Sequence, residues 1–244
     1  MIIDGHVHIG TGAFFHMSAD GDFLVRQADA CGFDKLFVTE LNALFYDMQE
    51  GNDALGKELA RHPDRLIGYV SVPTPRLGQK AVDEVRRCHE RYGMRGVKTY
   101  SYPESSIAEP GSYPLLEAAA ELKMPILAHT TPAECDHLME HVPEAWLVMA
   151  HTGGHPWAHG DWYRAVAVAK KHENLLLDTA SSQIDNGMIE WAVAEVGPEK
   201  IVFGTDMPLL DPHTQLARVQ GAEIDDEAKR LILGGNLARL LGLP

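Results

Sequence analysis

The sequence predicts an α/β protein, a single closed (β/α)8 TIM barrel formed by residues 1–244 as one domain. Eight short apolar runs recur at nearly even intervals, and each interval is long enough for the helical crossover that joins parallel strands. The runs are continuous rather than alternating, which is typical of strands buried on both faces. No linker separates the units, and the length of 244 residues is normal for one barrel.

The strand predictions follow the apolar runs in chain order. Each run is rich in Val, Ile, Leu or Phe, and most end in a polar residue. The eight predicted strands are Ile2–His8, Lys35–Glu40, Leu66–Val72, Arg95–Tyr100, Met124–His129, Trp146–His151, Leu175–Asp178 and Lys200–Asp206.

Helical patterns fill the intervals between these strands. Ser112 is a plausible N-cap for one helix, and the fifth unit has room for only a short helix. The predicted helices are Asp22–Cys31, Asn52–Arg61, Gln79–Arg91, Tyr113–Leu122, Ala133–Glu140, Trp157–His172, Asn186–Val196 and Asp225–Leu241. An open doubly wound sheet is the alternative, but even spacing of eight units favours closure. No GxGxxG turn follows the first strand, so a dinucleotide site is not supported.

Composition and charge exclude several classes of partner and site. A net charge of −14 repels phosphate backbones, so we expect no nucleic-acid partner. No apolar run reaches membrane-spanning length, and the N-terminus lacks the basic segment of a signal peptide. Cys31, Cys88 and Cys135 form neither a disulfide framework nor a thiolate zinc site, which suits a reducing cytoplasm. We therefore expect a cytoplasmic enzyme with a small-molecule substrate. The sequence does not indicate the oligomeric state, and a homo-oligomer is one alternative.

The first motif with chemical meaning is Asp4-Gly5-His6-Val7-His8. Residues i and i+2 of a strand point to the same face, so His6 and His8 should project together at the carboxyl end of the first strand. Two converging imidazoles supply half of a zinc-type site. HxH alone is a weak signal, and its position at a strand end strengthens it.

Three further polar residues end apolar runs. His129 ends the fifth strand, His151 the sixth and Asp206 the eighth. Barrel enzymes keep their catalytic groups at these strand ends. A single histidine there is more often structural, but buried ionisable groups need partners, and one metal ion serves them all.

Together the segments DGHVH, GVK, LAHT, MAHTGG, FGTDMP and GGNLARLLGL resemble the amidohydrolase superfamily. They resemble in particular the amidohydrolase-2 branch, which includes aminocarboxymuconate-semialdehyde decarboxylase and related decarboxylases. The resemblance covers the whole chain in family order. It implies that His6, His8, His129 and Asp206 bind one divalent metal, with His151 beside it as an acid/base group. Asp206 would also take a proton. Zinc is expected, with manganese as the alternative.

Lys98, at the end of the fourth strand, has two interpretations. Other members of the superfamily carry a carboxylated lysine there that bridges two metals, with the sixth-strand histidine as a ligand. The amidohydrolase-2 likeness favours a free amine that binds substrate, and a lysine extending to solvent at the barrel rim is the structural alternative. Glu40 and His155 are further candidates for substrate contact, although a solvated rim carboxylate explains Glu40 equally well. Asp178 could hydrogen-bond a ligand histidine.

The sequence favours hydrolysis of a small ester, lactone or amide by metal-activated water. The alternative is non-oxidative decarboxylation of a small unsaturated or aromatic acid. Decarboxylases of this type are longer, and this chain shows no arginine at a strand end to hold a carboxylate. Asn236 is expected to cap the last helix.

Overall fold

The fold is seen in a computed structural model that describes residues 1–12, 17–102, 105–153, 160–183 and 185–244. Its strands form one sheet in the order β2-β1-β3-β4-β5-β6-β7-β8-β9, in which β1 pairs antiparallel with β2 and every other pair is parallel. The strands are β1 (Ile3–Gly12), β2 (Met17–Ala19), β3 (Lys35–Glu40), β4 (Leu66–Val72), β5 (Gly96–Tyr100), β6 (Ile126–His129), β7 (Leu147–Met149), β8 (Leu175–Asp178) and β9 (Ile201–Val202).

Of the helices in the described residues, eight lie between successive strands and three follow the last strand. They are α1 (Gly21–Cys31), α2 (Leu41–Phe45), α3 (Met48–Arg61), α4 (Gln79–Tyr92), α5 (Tyr113–Glu121), α6 (Pro132–His141), α7 (Trp162–Ala169), α8 (Met188–Val196), α9 (Pro212–Gln220), α10 (Asp226–Arg230) and α11 (Asn236–Leu241). Within the described ranges, no helix is both long and apolar enough to cross a membrane.

Backbone hydrogen bonds between β1 and residues 203–207 close the barrel. Gly5 N donates to Phe203 O at 2.9 Å, Asp206 N to His6 O at 2.8 Å, and His8 N to Met207 O at 2.7 Å. We call this junction the closure seam. The eight parallel strands therefore form a closed barrel, as the sequence predicted, and the open-sheet alternative is wrong.

The period of two along each strand explains where polar groups gather. An apolar cluster inside the barrel includes Phe37, Leu127 and Leu176, and α11 covers it with Leu237 and Leu241. Two residues further along the same strands, the inward positions are polar. They are Thr39, His129 and Asp178, all buried. The lower barrel is thus filled with apolar side chains, and the polar groups meet at its carboxyl mouth.

Several predicted boundaries need correction. The strand predicted to run to His151 ends at Met149, because residues 150–152 turn into a 3₁₀ segment with His151 in the left-handed region, at φ 56°. The predicted helix Asp225–Leu241 is interrupted by a π turn over Leu231–Gly235. A Cβ at Gly234 would lie 2.4 Å from Met1 O, so this turn packs directly against the start of β1.

Two predicted caps are wrong. Ser112 makes no side-chain cap hydrogen bond, because α5 continues from a 3₁₀ turn over Pro110–Ser112. Asn236 lies inside the last helical segment and donates instead to the carbonyls of Pro198 and Ile201. Its amide therefore ties α11 to β9.

Candidate metal centre

Four imidazoles and two carboxylates meet at the barrel mouth. The ring centroid of His6 lies 5.1 Å from that of His8 and 4.9 Å from that of His151, and the His151 and His129 rings are also 4.9 Å apart. The four histidines are at most 5% exposed. Asp206 and Asp178 are also buried and complete the cluster. The sequence-predicted residues thus lie together.

Potential ligand atoms of His6, His8 and Asp206 lie within 4.8 Å of one another. Asp206 Oδ1 is 2.9 Å from His8 Nε2 and 3.5 Å from His6 Nε2. A second such group joins His6, His151 and Asp178. His129 is in neither group, although its ring adjoins that of His151. The structure therefore brings three of the four expected ligands into close range and places the fourth one ring away.

Hydrogen bonds on the far side of each ring assign the tautomers of His6 and His151. His6 Nδ1 lies 2.7 Å from Asp178 Oδ2, which accepts its proton. His151 Nδ1 lies 2.8 Å from the carbonyl of Ala180, which can only accept. Both rings therefore carry a lone pair on Nε2, the nitrogen that a metal binds.

The His8 ring is fixed in the same way by a residue that sequence reasoning missed. Thr39 Oγ1 donates to Val7 O at 3.3 Å and therefore accepts from His8 Nδ1 at 2.6 Å. Thr39 pairs with His8 in the β1–β3 register. A threonine opposite the second histidine of HxH, one strand away, is the signal that could have found it.

These tautomers provide a test of whether a metal fits. Asp206 Oδ1 is buried, and within the described part of the chain no donor reaches it with hydrogen-bond geometry. It faces the lone pairs of His6 and His8 instead, an arrangement that is repulsive without a cation. Neutral imidazole nitrogens with one carboxylate suit zinc or manganese. The donor set therefore fits a divalent metal.

Burial keeps the His6 and His151 imidazoles neutral. It lowers the pKa of His6 well below its ordinary value, with the neighbouring Lys98 adding to the effect. It lowers the pKa of His151 to about 4. Neutral rings are the form that binds metal, because a protonated ring has no lone pair to offer.

Two carboxylates fix the backbone around the cluster. Asp178 Oδ2 accepts from His151 N at 3.0 Å as well as from His6, so one oxygen serves both histidines, as the sequence suggested for a ligand partner. Burial raises the pKa of Asp178 to about 7. Asp4, which sequence reasoning missed, accepts from Thr205 Oγ1 at 2.5 Å and from Thr205 N at 2.9 Å. Asp206 follows at φ 61°, a strained conformation that these contacts hold in place.

Lys98 is fully inside the barrel mouth. Its Nζ lies 3.1 Å from His6 Nε2, and its side chain is 1% exposed, so a lysine extending to solvent is ruled out. Burial lowers the pKa of Lys98 to about 8, although Asp206 and Asp178 oppose the effect. No carboxylate lies within ion-pair distance of it in the described part of the chain.

An aromatic wall, formed by Tyr100, Tyr102 and Phe45, stands beside the cluster. The Tyr100 ring stacks on His129 with centroids 4.0 Å apart and planes 7° apart. Tyr102 and Phe45 contact Tyr100 at 5.0 and 6.0 Å between centroids. All three side chains are partly exposed, so they border open space next to the imidazoles.

Glu40 and His155 are the remaining candidates for substrate contact. Glu40 is 2% exposed, so the solvated-rim interpretation is wrong. Its carboxylate caps α2 by accepting from Ala43 N at 2.7 Å and also accepts from Asn42 Nδ2 at 3.0 Å. His155 lies outside the described residues, so its substrate contact stays a prediction.

Comparison with known proteins identifies the family. An amidohydrolase family model, that of the amidohydrolase-2 branch, matches residues 3–243. A gamma-resorcylate decarboxylase from Rhodococcus jostii is 33% identical over 67 residues, which span 28% of this chain and only 20% of that protein.

Solved structures with low sequence identity share the fold. One is a dihydroxybenzoic acid decarboxylase from Polaromonas with bound manganese and the inhibitor 2-nitroresorcinol. It has a TM-score of 0.78 at 16% identity and covers 99% of this chain and 96% of its own. Another is a probable 2-pyrone-4,6-dicarboxylic acid hydrolase from Acinetobacter baumannii with bound citric acid, with a TM-score of 0.73 at 16% identity and 99% coverage of both chains. From the family match over nearly its whole length, the chain belongs to the amidohydrolase family.

Proposed function

We propose that this chain is a single-domain, divalent-metal-dependent enzyme that decarboxylates a small planar carboxylic acid without oxidation. The observation that carries the proposal is the aromatic wall beside the imidazole cluster, together with the buried amine of Lys98 at His6. A flat ring can pack against Tyr100 and Tyr102 while its carboxylate faces Lys98. The names of the decarboxylases among its relatives support the same reaction.

His6, His8, His129 and Asp206 are the proposed ligands of one metal ion. The ion would supply Lewis-acid polarisation of a substrate oxygen. Zinc and manganese both suit the donors, and the manganese found in two related solved structures makes manganese the first ion to test. His129 is included because it ends β6 at the same barrel mouth, with its ring centroid 4.9 Å from that of His151.

Lys98 gives the site its preference for an anion. A cation held at His6 Nε2 lies next to the Lys98 amine and lowers its pKa further, because like charges repel. A substrate carboxylate restores the balance of charge and keeps Lys98 protonated. A carbamate on Lys98, with a second metal, would restore it differently, and we propose the free amine.

Decarboxylation breaks the bond between the carboxyl carbon and the ring, releases CO2 and leaves the electron pair on the ring carbon. A conjugated planar ring spreads that charge, and a proton then replaces the carboxyl group. Lys98, whose protonated form the substrate carboxylate favours, is proposed to provide the proton.

Hydrolysis of an ester, lactone or amide is the second candidate, and His151 favours it. With a pKa of about 4, this side chain is a neutral imidazole with a lone pair on Nε2. It can therefore accept a proton from attacking water at neutral pH. Decarboxylation requires a proton donor instead, so the two reactions assign different work to the same residues.

One experiment separates them. Protein reconstituted with Mn²⁺ or Zn²⁺ is incubated with hydroxybenzoic acids, unsaturated dicarboxylic acids and matched lactones and methyl esters. Reactions in D2O reveal decarboxylation as CO2 release with deuterium on the vacated carbon. Reactions in H2¹⁸O reveal hydrolysis as one ¹⁸O in the acid product. Label in the ester or lactone products without CO2 release from any acid would overturn the proposal.

A further inference from the structure

Glu134 lies on the first turn of α6, outside the candidate site. Its carboxylate contacts the segments that follow β5 and β6, the strands that end in Tyr100 and His129. Oε1 accepts from the Ser101 and Ser106 hydroxyls, each at 2.7 Å, and from Ile107 N at 3.2 Å. Oε2 accepts from the Thr130 hydroxyl at 2.8 Å, and from Thr131 N and Oγ1, each at 3.1 Å. One carboxylate thus gathers six donors.

The two oxygens divide these donors by strand. Oε1 binds the segment that follows Tyr100 at the end of β5, and Oε2 binds the residues that follow His129 at the end of β6. Tyr100 and His129 are register partners in the sheet, and Ser101 N donates to His129 O at 2.8 Å. The carboxylate therefore joins the two strand ends at the point where the Tyr100 ring stacks on the His129 ring.

A helix cap explains only part of this arrangement. Thr131 and Glu134 form a capping box at the start of α6, which accounts for the contacts with Thr131. The bonds from Ser101, Ser106 and Thr130 are not part of a capping box. Burial raises the pKa of Glu134, but the hydrogen bonds, led by those from Ser106 and Ser101, outweigh it and lower the pKa below its usual value. The ionised form, which accepts on both oxygens, is the one that fits.

We propose that Glu134 is a positioning residue that sets the stack of Tyr100 on His129 and, through it, the presentation of His129 to the metal. The inference rests on the proposed metal site. Without the carboxylate, the segments after β5 and β6 keep the backbone hydrogen bond from Ser101 N to His129 O but lose the side-chain anchor that they share, so the geometry of the two rings is held less firmly.

Glu134→Gln is the sharpest test. Glutamine keeps the shape and still serves a capping box, so α6 retains its start. It offers one acceptor oxygen and one NH2 group, however. When the oxygen stays on Thr131 N and preserves the cap, the NH2 faces Ile107 N, which can only donate, and the two serine hydroxyls must turn to accept. The segment after β5 is therefore held less firmly while the helix cap survives.

The probe is Co²⁺ alone, added to metal-free protein, with the affinity and the visible absorption band of the bound ion as readouts. We expect Glu134→Gln to bind Co²⁺ about 10-fold more weakly, the lower end of the cost of losing a partner that orients a ligand, with a shifted band. Tyr100→Leu should act in the same direction. The double variant should be no worse than Tyr100→Leu, because both changes act through one stack.

Asp225→Ala is the matched control. Asp225 caps α10 by accepting from Ala228 N. Its replacement should lower the midpoint of thermal unfolding, as the loss of a helix cap does, and leave the Co²⁺ band unchanged. Ser101→Ala, which removes one donor and no cap, covers the case in which Glu134→Gln does not fold, and should shift the band in the same direction.

The outcomes separate the two proposals. If wild-type protein binds no Co²⁺, the metal site itself fails. If wild type binds Co²⁺ and Glu134→Gln binds it with equal affinity and an unchanged band, the role of Glu134 is overturned. Fully additive effects in the double variant would overturn it as well.

Discussion

The two halves of the candidate site are held in place by different means. At the closure seam, the His6 ring is bonded to Asp178 and the His8 ring to Thr39, and seam hydrogen bonds hold the backbones of His6, His8 and Asp206. Elsewhere in the cluster, the His129 ring stacks on Tyr100, whose hydroxyl lies 3.4 Å from His129 Nε2, and its strand end is anchored through Glu134.

The difference matters because the two kinds of support tolerate change differently. A hydrogen bond to Nδ1 fixes both the orientation and the tautomer of a ring, and the structure shows such a bond for His6 and for His8. The His129 ring instead stacks on Tyr100 and lies beside its hydroxyl. We expect changes at the seam to cost more metal affinity than changes at the stack, which borders the space proposed for substrate.

The largest expected effect is loss of metal from the seam. His8→Asn removes a proposed ligand whose partners are otherwise intact, and we expect metal affinity to fall by more than about 100-fold, beyond what the loss of a ligand's hydrogen-bond partner costs. His129→Asn should also lose metal and activity. Metal analysis after dialysis against a chelator measures both. Full metal content in His8→Asn would contradict the proposed ligand set.

His151→Asn tests a residue that lies between the two halves. If the reaction is hydrolysis, His151 accepts the proton of the attacking water and should contribute to kcat and not to metal retention. We expect kcat to fall by about 10²–10⁴-fold, with metal content near that of wild type. Steady-state kinetics and metal analysis on the same sample measure this. An empty site would make His151 a ligand and favour the two-metal arrangement, and an unchanged kcat would make it a bystander.

Asp178→Asn weakens the support of the His6 ring without replacing a proposed ligand. The change removes the charge that accepts from His6 Nδ1 and from His151 N. We expect metal affinity to fall about 10- to 100-fold, measured by competition with a fluorescent chelator. An affinity equal to that of wild type would show that the Asp178 charge does not support the His6 ligand.

Glu40→Gln gives the smallest effect, which is a change in the pH dependence of the free energy of unfolding. Burial raises the pKa of Glu40 from 4.5 to about 7 in the folded state, so the folded state disfavours the ionised form. The cost of ionising Glu40 in the folded state is absent below pH 4.5, grows between pH 4.5 and about pH 7, and is complete above about pH 7. The free energy of unfolding therefore falls as pH rises. Relative to wild type, Glu40→Gln should gain up to about 3 kcal/mol between pH 5 and pH 8.

Urea unfolding of metal-free protein at the two pH values measures this gain. Asp47→Asn, at the exposed N-cap of α3, is the matched control and should show the same pH dependence as wild type. If Glu40→Gln also follows wild type, the Glu40 carboxyl has no share in the pH dependence of stability.

The barrel and the position of the site were predictable because both follow from simple periodicities. Strands β3, β4 and β8 have the bounds that the apolar runs predict. The alternation along a strand places His6, His8 and His129 inside the mouth without any knowledge of their neighbours. The carboxylate–histidine contact of Asp178 was also accessible, since Asp178 ends the strand beside that of His151.

The supports that come from distant segments could not be predicted. Asp4 becomes important only through Thr205, which the fold brings opposite it, and Thr39 can be found only once the register of β1 and β3 is known. The spacing of Thr131 and Glu134 is that of a capping box, but nothing in the sequence indicates that Ser101 and Ser106 reach the same carboxylate. Glu40 was placed at the right strand end, yet its burial depends on α2, a helix that the apolar pattern did not predict.

The closure seam also has a consequence for biosynthesis. His6 and His8 emerge from the ribosome well before Asp206, and the seam joins them. The proposed ligand set is therefore incomplete on a nascent chain that stops short of β9. On this proposal metal capture would follow ring closure, and the ion would link the first and last strands, so that losing it would loosen the barrel where its two ends meet.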